Sequence, residues 1–96
     1  MIKTFRDQWL EEYYFCAKDS SRVPGMIRNA LKRKLDIMHI AINEAGLRVP
    51  PGNLFERLQG RLMGWCSIRV NQQYRLIFQW ESGEATDIYL DSHTYR

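Results

Sequence analysis

Two runs of alternating residues, Trp65 to Asn71 and Tyr74 to Trp80, are separated only by Gln72-Gln73. A period of two marks a half-buried strand, and so short a connection folds the second run back antiparallel on the first. Whatever fold the chain takes must be built round this hairpin. In its first strand Ile68 and Val70 point to a core, leaving Ser67, Arg69 and Asn71 on the other side. In its second strand Leu76, Phe78 and Trp80 alternate with Arg75, Ile77 and Gln79. With the larger set packed inward, Arg75 joins Arg69 on an open face. Neighbouring cations repel. Either an outside anion relieves them, or they turn to solvent, or they pair with Glu56 or Asp91. Arginine holds phosphate through a planar bidentate fork, so the pair points to phosphodiester handling.

The flanking elements follow from periodicity. Ile2 to Phe5 alternates and predicts a short first strand. Asp7 to Ala17 carries Trp9, Leu10, Tyr13, Tyr14 and Ala17 at helical spacing. After Pro24, the residues Ile27, Leu31, Leu35, Met38, Ile42 and Ala45 trace one apolar stripe, with Gly46 as its expected C-cap. The loop Pro50-Pro51-Gly52-Asn53 leads to an extended segment from Leu54 to Leu58. Ser82-Gly83 is a turn, and Ala85 to Leu90 makes the last strand. The order strand, helix, helix, then antiparallel strands predicts one α+β domain over residues 1–96, with helices on one face of a four- to five-stranded sheet.

Composition narrows the partners. The chain has 96 residues and a net charge of +3. Residues 47–96 hold six basic groups, all arginine: Arg48, Arg57, Arg61, Arg69, Arg75 and Arg96. That bias fits a phosphate-binding surface. Cys16 and Cys66 lie fifty residues apart with no Cys-x-x-Cys or His-Cys cluster, which argues against a disulfide framework or a zinc site. No apolar run near Met1 has the length of a signal peptide or membrane span, so a cytoplasmic protein without a membrane partner is expected. Near the last residues, Asp87, Asp91, His93, Tyr95 and Arg96 gather the remaining chemistry. A histidine between an acid and a tyrosine is suited to acid–base work, and equally to simple solvation.

The segments Pro50-Pro51-Gly52-Asn53, Leu58-Gln59-Gly60, Gly64, Ser67-Ile68-Arg69-Val70-Asn71, Tyr74-Arg75 and Phe78-Gln79-Trp80 carry a wider pattern. With Met1-Ile2-Lys3-Thr4-Phe5 and Lys34-Leu35, they resemble the HigB toxins of the RelE/ParE superfamily of bacterial toxin–antitoxin modules. The resemblance spans essentially the whole chain. It implies a RelE-like fold, a ribosome-dependent endoribonuclease that cuts mRNA in the decoding site, and neutralisation by a helix-turn-helix, HigA-like antitoxin. Arg75 matches the arginine that the family sets on the scissile phosphate. Glu56 stands where members have a catalytic histidine or a glutamate, and Gln59 replaces a lysine found in some. The family ending Asp-Tyr-His becomes Asp91-Ser92-His93, with Tyr95 two residues further on.

Such cleavage needs no metal or cofactor. Arg75, aided by Arg69, would steady the charge on phosphorus, with Glu56 and His93 as base and acid in either order. The Glu56–His93 pairing requires the last strand to return beside Leu54–Leu58. Arg57, Arg61 and the helical residues Arg28, Lys32 and Arg33 would bind RNA phosphates. Two other readings fit the same fold: a ParE-like inhibitor that binds DNA gyrase, and a non-catalytic RNA-binding module.

Overall fold

The structure, a computed structural model, describes residues 1–92. His93, Tyr95 and Arg96 lie outside the described residues. Helix α1 (Gln8–Phe15) is followed by a 3₁₀ turn at Gly25–Ile27 and by α2 (Arg28–Ile40). A one-turn helix α3 (Glu44–Leu47) and a 3₁₀ turn at Pro51–Asn53 lead into the strands β1 (Glu56–Arg57), β2 (Trp65–Arg69), β3 (Arg75–Glu81) and β4 (Glu84–Asp91). The four strands form one sheet in the order β1-β2-β3-β4, each pair antiparallel. The α+β architecture expected from the sequence is therefore present.

The hairpin sets the register. Asn71 Oδ1 accepts hydrogen bonds from the backbone N–H groups of Gln73 and Tyr74 at 2.8 and 2.7 Å. This side-chain turn closes β2 onto β3 and places Ile68 opposite Leu76 and Arg69 opposite Arg75. Cys66, Ile68, Val70, Leu76 and Phe78 face a core shared with Leu10 of α1 and with Leu31, Leu35 and Met38 of α2. Both helices thus cover one face of the sheet, and Arg69 and Arg75 belong to the other. β3 and β4 meet through Ser82 and Gly83, both at positive φ, the two-residue turn whose twist suits a hairpin. A side chain on Gly83 would press within 2.9 Å of the Ile42 carbonyl oxygen.

Three sequence expectations need correction. The stripe predicted through Ala45 stops at Ile40, because Ala41 turns extended and its carbonyl accepts the Met1 ammonium at 2.7 Å. Asn43 then caps a new helix, accepting from Gly46 N–H at 3.1 Å. Ile42 is left 79% exposed, and Gly46 lies inside α3 instead of closing α2. Second, Ile2–Phe5 makes no continuous strand but two isolated parallel bridges to β4, Ile2 with Ala85 and Phe5 with Ile88. A bulge separates them: Asp87, at φ 54°, is looped out of the β3–β4 ladder and its N–H donates to Thr4 Oγ1 at 2.9 Å. Third, the segment from Leu54 to Leu58 is a strand only at Glu56 and Arg57, with Leu58 N–H donating further to the Trp65 carbonyl at 2.9 Å, and it follows a left-handed Leu54 at φ 44°.

Candidate active site

The uncovered sheet face is ordered by its registers into rows. Glu56, Ser67, Ile77 and Tyr89 lie in line across β1 to β4, and Arg69, Arg75 and Asp91 form the next row. The rows are about 7 Å apart, two residues along a strand. Ser67 is fully buried, and its hydroxyl donates to Glu56 Oε1 at 3.5 Å. Glu56 itself is exposed at the sheet edge.

Arg75 departs from its expected setting. It shares a face with Arg69, but it is only 7% exposed. Its Nε and Nη1 are buried without a hydrogen-bond partner, as is Nε of Arg69. Burying unpaired guanidinium donors costs several kcal/mol unless something completes them. Among the described residues nothing accepts from these three atoms.

Above the neighbouring row the face is roofed. The rings of Trp65 and Tyr89 meet edge to face at 5.9 Å, although their strands flank β3 on opposite sides. They therefore lean over Ile77, which explains its complete burial on the side away from the main core. The Arg6 guanidinium carbon lies over the Tyr89 ring, 3.8 Å from its centre. Its fork is held by Asp7, Nε to Oδ1 at 3.0 Å and Nη2 to Oδ2 at 2.9 Å. That hydrogen bond, with the nearby charges of Tyr89 and Asp91, raises the Arg6 pKa. Sequence reasoning missed Arg6. The only available signal was its place one residue after Phe5, on the opposite parity.

Comparison with known proteins decides the family. The HigB-like toxin family, described as RelE-like toxin of type II toxin-antitoxin system HigB, matches residues 3–93. Over 95 residues the chain is 56% identical to Toxin HigB-1 of Vibrio cholerae serotype O1, covering 99% of this chain and 100% of that one. The chain belongs to the HigB-like toxin family. An uncharacterised protein of Haemophilus influenzae is 41% identical over 91 residues, covering 95% of this chain and 90% of its own length. The same fold occurs in E. coli YafQ, whose crystal structure aligns at TM-score 0.61 with 18% identity, covering 97% and 92% of the two chains. It occurs also in YoeB of the Staphylococcus aureus YoeB-YefM complex, at TM-score 0.60 and 20% identity, covering 97% and 95%.

Elsewhere in the HigB-like toxin, the structure does not gather the remaining sequence candidates around Arg75. Arg28, Lys32 and Arg33 ride on α2, behind the opposite face of the sheet. Arg28 pairs with Asp19 at 2.5 Å and Lys32 with Asp36 at 3.7 Å. Arg57 alternates away from Glu56 and pairs with Glu44, which also holds Arg48 at 3.0 Å. These two guanidinium groups keep the Glu44 carboxyl below its ordinary pKa. Arg61 is exposed in the 3₁₀ turn Gly60–Leu62 before β2. The last strand does not return beside Leu54–Leu58, since β1 and β4 are opposite edges with two strands between. A Glu56–His93 pair would have to form across the face, and His93 lies outside the described residues.

The Lys34 and Asn53 of the family pattern have a structural use. The Lys34 ammonium donates to Asn53 Oδ1 in the interior, and Asn53 Nδ2 donates to the carbonyls of Leu47 and Val49 at 3.0 and 3.1 Å. Burial lowers the Lys34 pKa. This network ties α2 to the loop that delivers β1, and so fixes Glu56. Among the described residues no group of three His, Cys, Asp or Glu is placed to hold a metal, and no helix is long and apolar enough to cross a membrane.

Proposed function

We propose that this toxin is an endoribonuclease that cuts mRNA in the decoding site of the ribosome. The observation that carries the reading is the Arg69–Arg75 pair, set opposite one another on the sheet face away from the helices, with Nε of both and Nη1 of the buried Arg75 left unpaired. A phosphodiester would supply the missing acceptors: its nonbridging oxygens take the Nε and Nη1 donors of Arg75, with Arg69 beside them, once the side chains that close these atoms to solvent shift aside. The extra negative charge that develops as phosphorus becomes five-coordinate is then met by donors already in place. Loss of one such donor typically costs about 10²–10³ in rate.

The reaction moves two protons. A base takes the 2′-hydroxyl proton, the 2′-oxygen bonds to phosphorus, and the bond from phosphorus to the 5′-oxygen breaks. The products are a 2′,3′-cyclic phosphate and a 5′-hydroxyl that receives the second proton. Glu56 is the proposed base, oriented by the Ser67 hydroxyl. His93 is the proposed acid, with Asp91 and Tyr95 placed near it by sequence. The proposed step uses no metal or cofactor. The toxin would act in the cytoplasm on a ribosome carrying mRNA, and a helix-turn-helix antitoxin encoded beside it would neutralise it.

Defined ribosomes carrying a labelled mRNA test it. The wild-type toxin should cut the mRNA within the decoding site, and Arg75→Ala should abolish cutting. Arg75→Lys should recover only part, since an ammonium lacks the fork. Intact mRNA together with gyrase-dependent DNA breaks would replace this reading with the ParE-like one.

A further inference from the structure

Arg6 and Arg75 present opposite parts of the same functional group. Arg75 is buried, and its in-plane Nε and Nη1 donors are unused. Arg6 spends Nε and Nη2 on Asp7, which balances its charge, and sets its guanidinium carbon 3.8 Å from the centre of the Tyr89 ring, a separation that suits a parallel stack. Its side chain is 52% exposed. In such a stack it offers to solvent the other face of a charge-balanced plane, with only Nη1 left out of the Asp7 fork. That surface suits a flat aromatic ligand better than a phosphate, because guanidinium planes stack on nucleobases.

The location fits a nucleotide bound at Arg75. Asp91 lies opposite Arg75 in register, Tyr89 is two residues before it on the same strand and face, and Arg6 sits over Tyr89. The bond from Arg6 N–H to the Ile88 carbonyl, 2.9 Å, fixes the backbone beneath this plane. Trp65 meets the Tyr89 ring edge to face at 5.9 Å, which helps to hold the base of the stack in place. We infer that the Arg6–Tyr89 stack is a nucleobase platform that holds the base next to the scissile phosphate and helps to choose where the RNA is cut. This inference rests on the endoribonuclease reading and adds a recognition element to it.

Binding and cleavage are measured separately. Ribosomes carry an mRNA made uncleavable by 2′-O-methylation in the decoding site, and toxin affinity is compared with ribosomes lacking mRNA. The mRNA-dependent gain should fall about tenfold in Arg6→Ala, within the range for loss of one stacked base. Arg6→Lys should fall as far, because it keeps the charge and loses the plane. Lys3→Ala should bind as the wild type does. With cleavable mRNA, Arg6→Ala should spread the cut sites over more sequences and raise KM more than it lowers kcat. Unchanged affinity in Arg6→Ala, or full recovery in Arg6→Lys, would overturn the platform. Wild-type toxin that cuts mRNA while Arg6→Ala is unaffected leaves the endoribonuclease reading standing and removes the platform alone. Arg6-dependent binding without any cutting does the reverse. Thermal unfolding of Arg6→Ala should match the wild type.

Discussion

Arg75→Met should separate activity from stability. The guanidinium is buried with two unpaired donors, and an apolar chain of similar length removes that cost. Replacing buried ionic groups by packed apolar ones is often neutral or stabilising by about 1–4 kcal/mol. We expect Arg75→Met to lose cleavage while its Tm is equal to or several degrees above that of the wild type, by calorimetry. A lower Tm would mean that Arg75 already has a partner worth its burial. Glu56 behaves differently, being exposed at the edge. Glu56→Gln should lower single-turnover cleavage by about 10²–10⁴-fold with little change in Tm or mRNA binding. Arg69 and Arg75 were legible as neighbours because a short turn and a two-residue period leave one register. The burial of Arg75 was not, because it depends on what its neighbours lean over it, and alternation says nothing of that.

Secondary elements show where local patterns yield to long-range contacts. The helix stripe continues in sequence through Ile42 and Ala45, yet α2 ends because Ala41 is engaged by Met1 and Asn43 caps the next turn. No window of ten residues contains that information. In β4, alternation places Ala85, Asp87 and Tyr89 together. The bulge at Asp87 rephases the strand, so that Ala85 and Ile88 enter the core while Tyr89 and Asp91 join the arginine face. Helix α1 meets α2 through the Tyr14 hydroxyl, which donates to Asp36 Oδ1 at 2.7 Å. Burial first, and then the Asp36 carboxylate, push the Tyr14 phenol well above its ordinary 10.0. The neutral phenol is thereby favoured in the folded protein. Its contribution is whole below pH 10.0 and is lost as pH climbs toward the raised folded value. Urea midpoints should fall above pH 10 in the wild type and less steeply in Tyr14→Phe.

At the scale of the whole molecule, expression without a neutralising partner should stop translation and shorten mRNA. RNA blots and pulse labelling of protein synthesis test this, and an Arg75→Ala strain should grow normally. Intact mRNA in arrested cells would count against the endoribonuclease. Fold class was legible because helices precede strands and the hairpin joins them. The assembled face was less so, since Arg6 reaches it only through parallel bridges between distant segments. Those bridges have another effect. They occupy the outer side of β4, so the exposed sheet margin is β1, two residues long and both charged, Glu56 and Arg57. A margin so short and charged gives an incoming chain almost no backbone to copy. The toxin therefore resists edge-to-edge aggregation as it accumulates, and strand addition along either side of the sheet is a poor route for another protein to grip it.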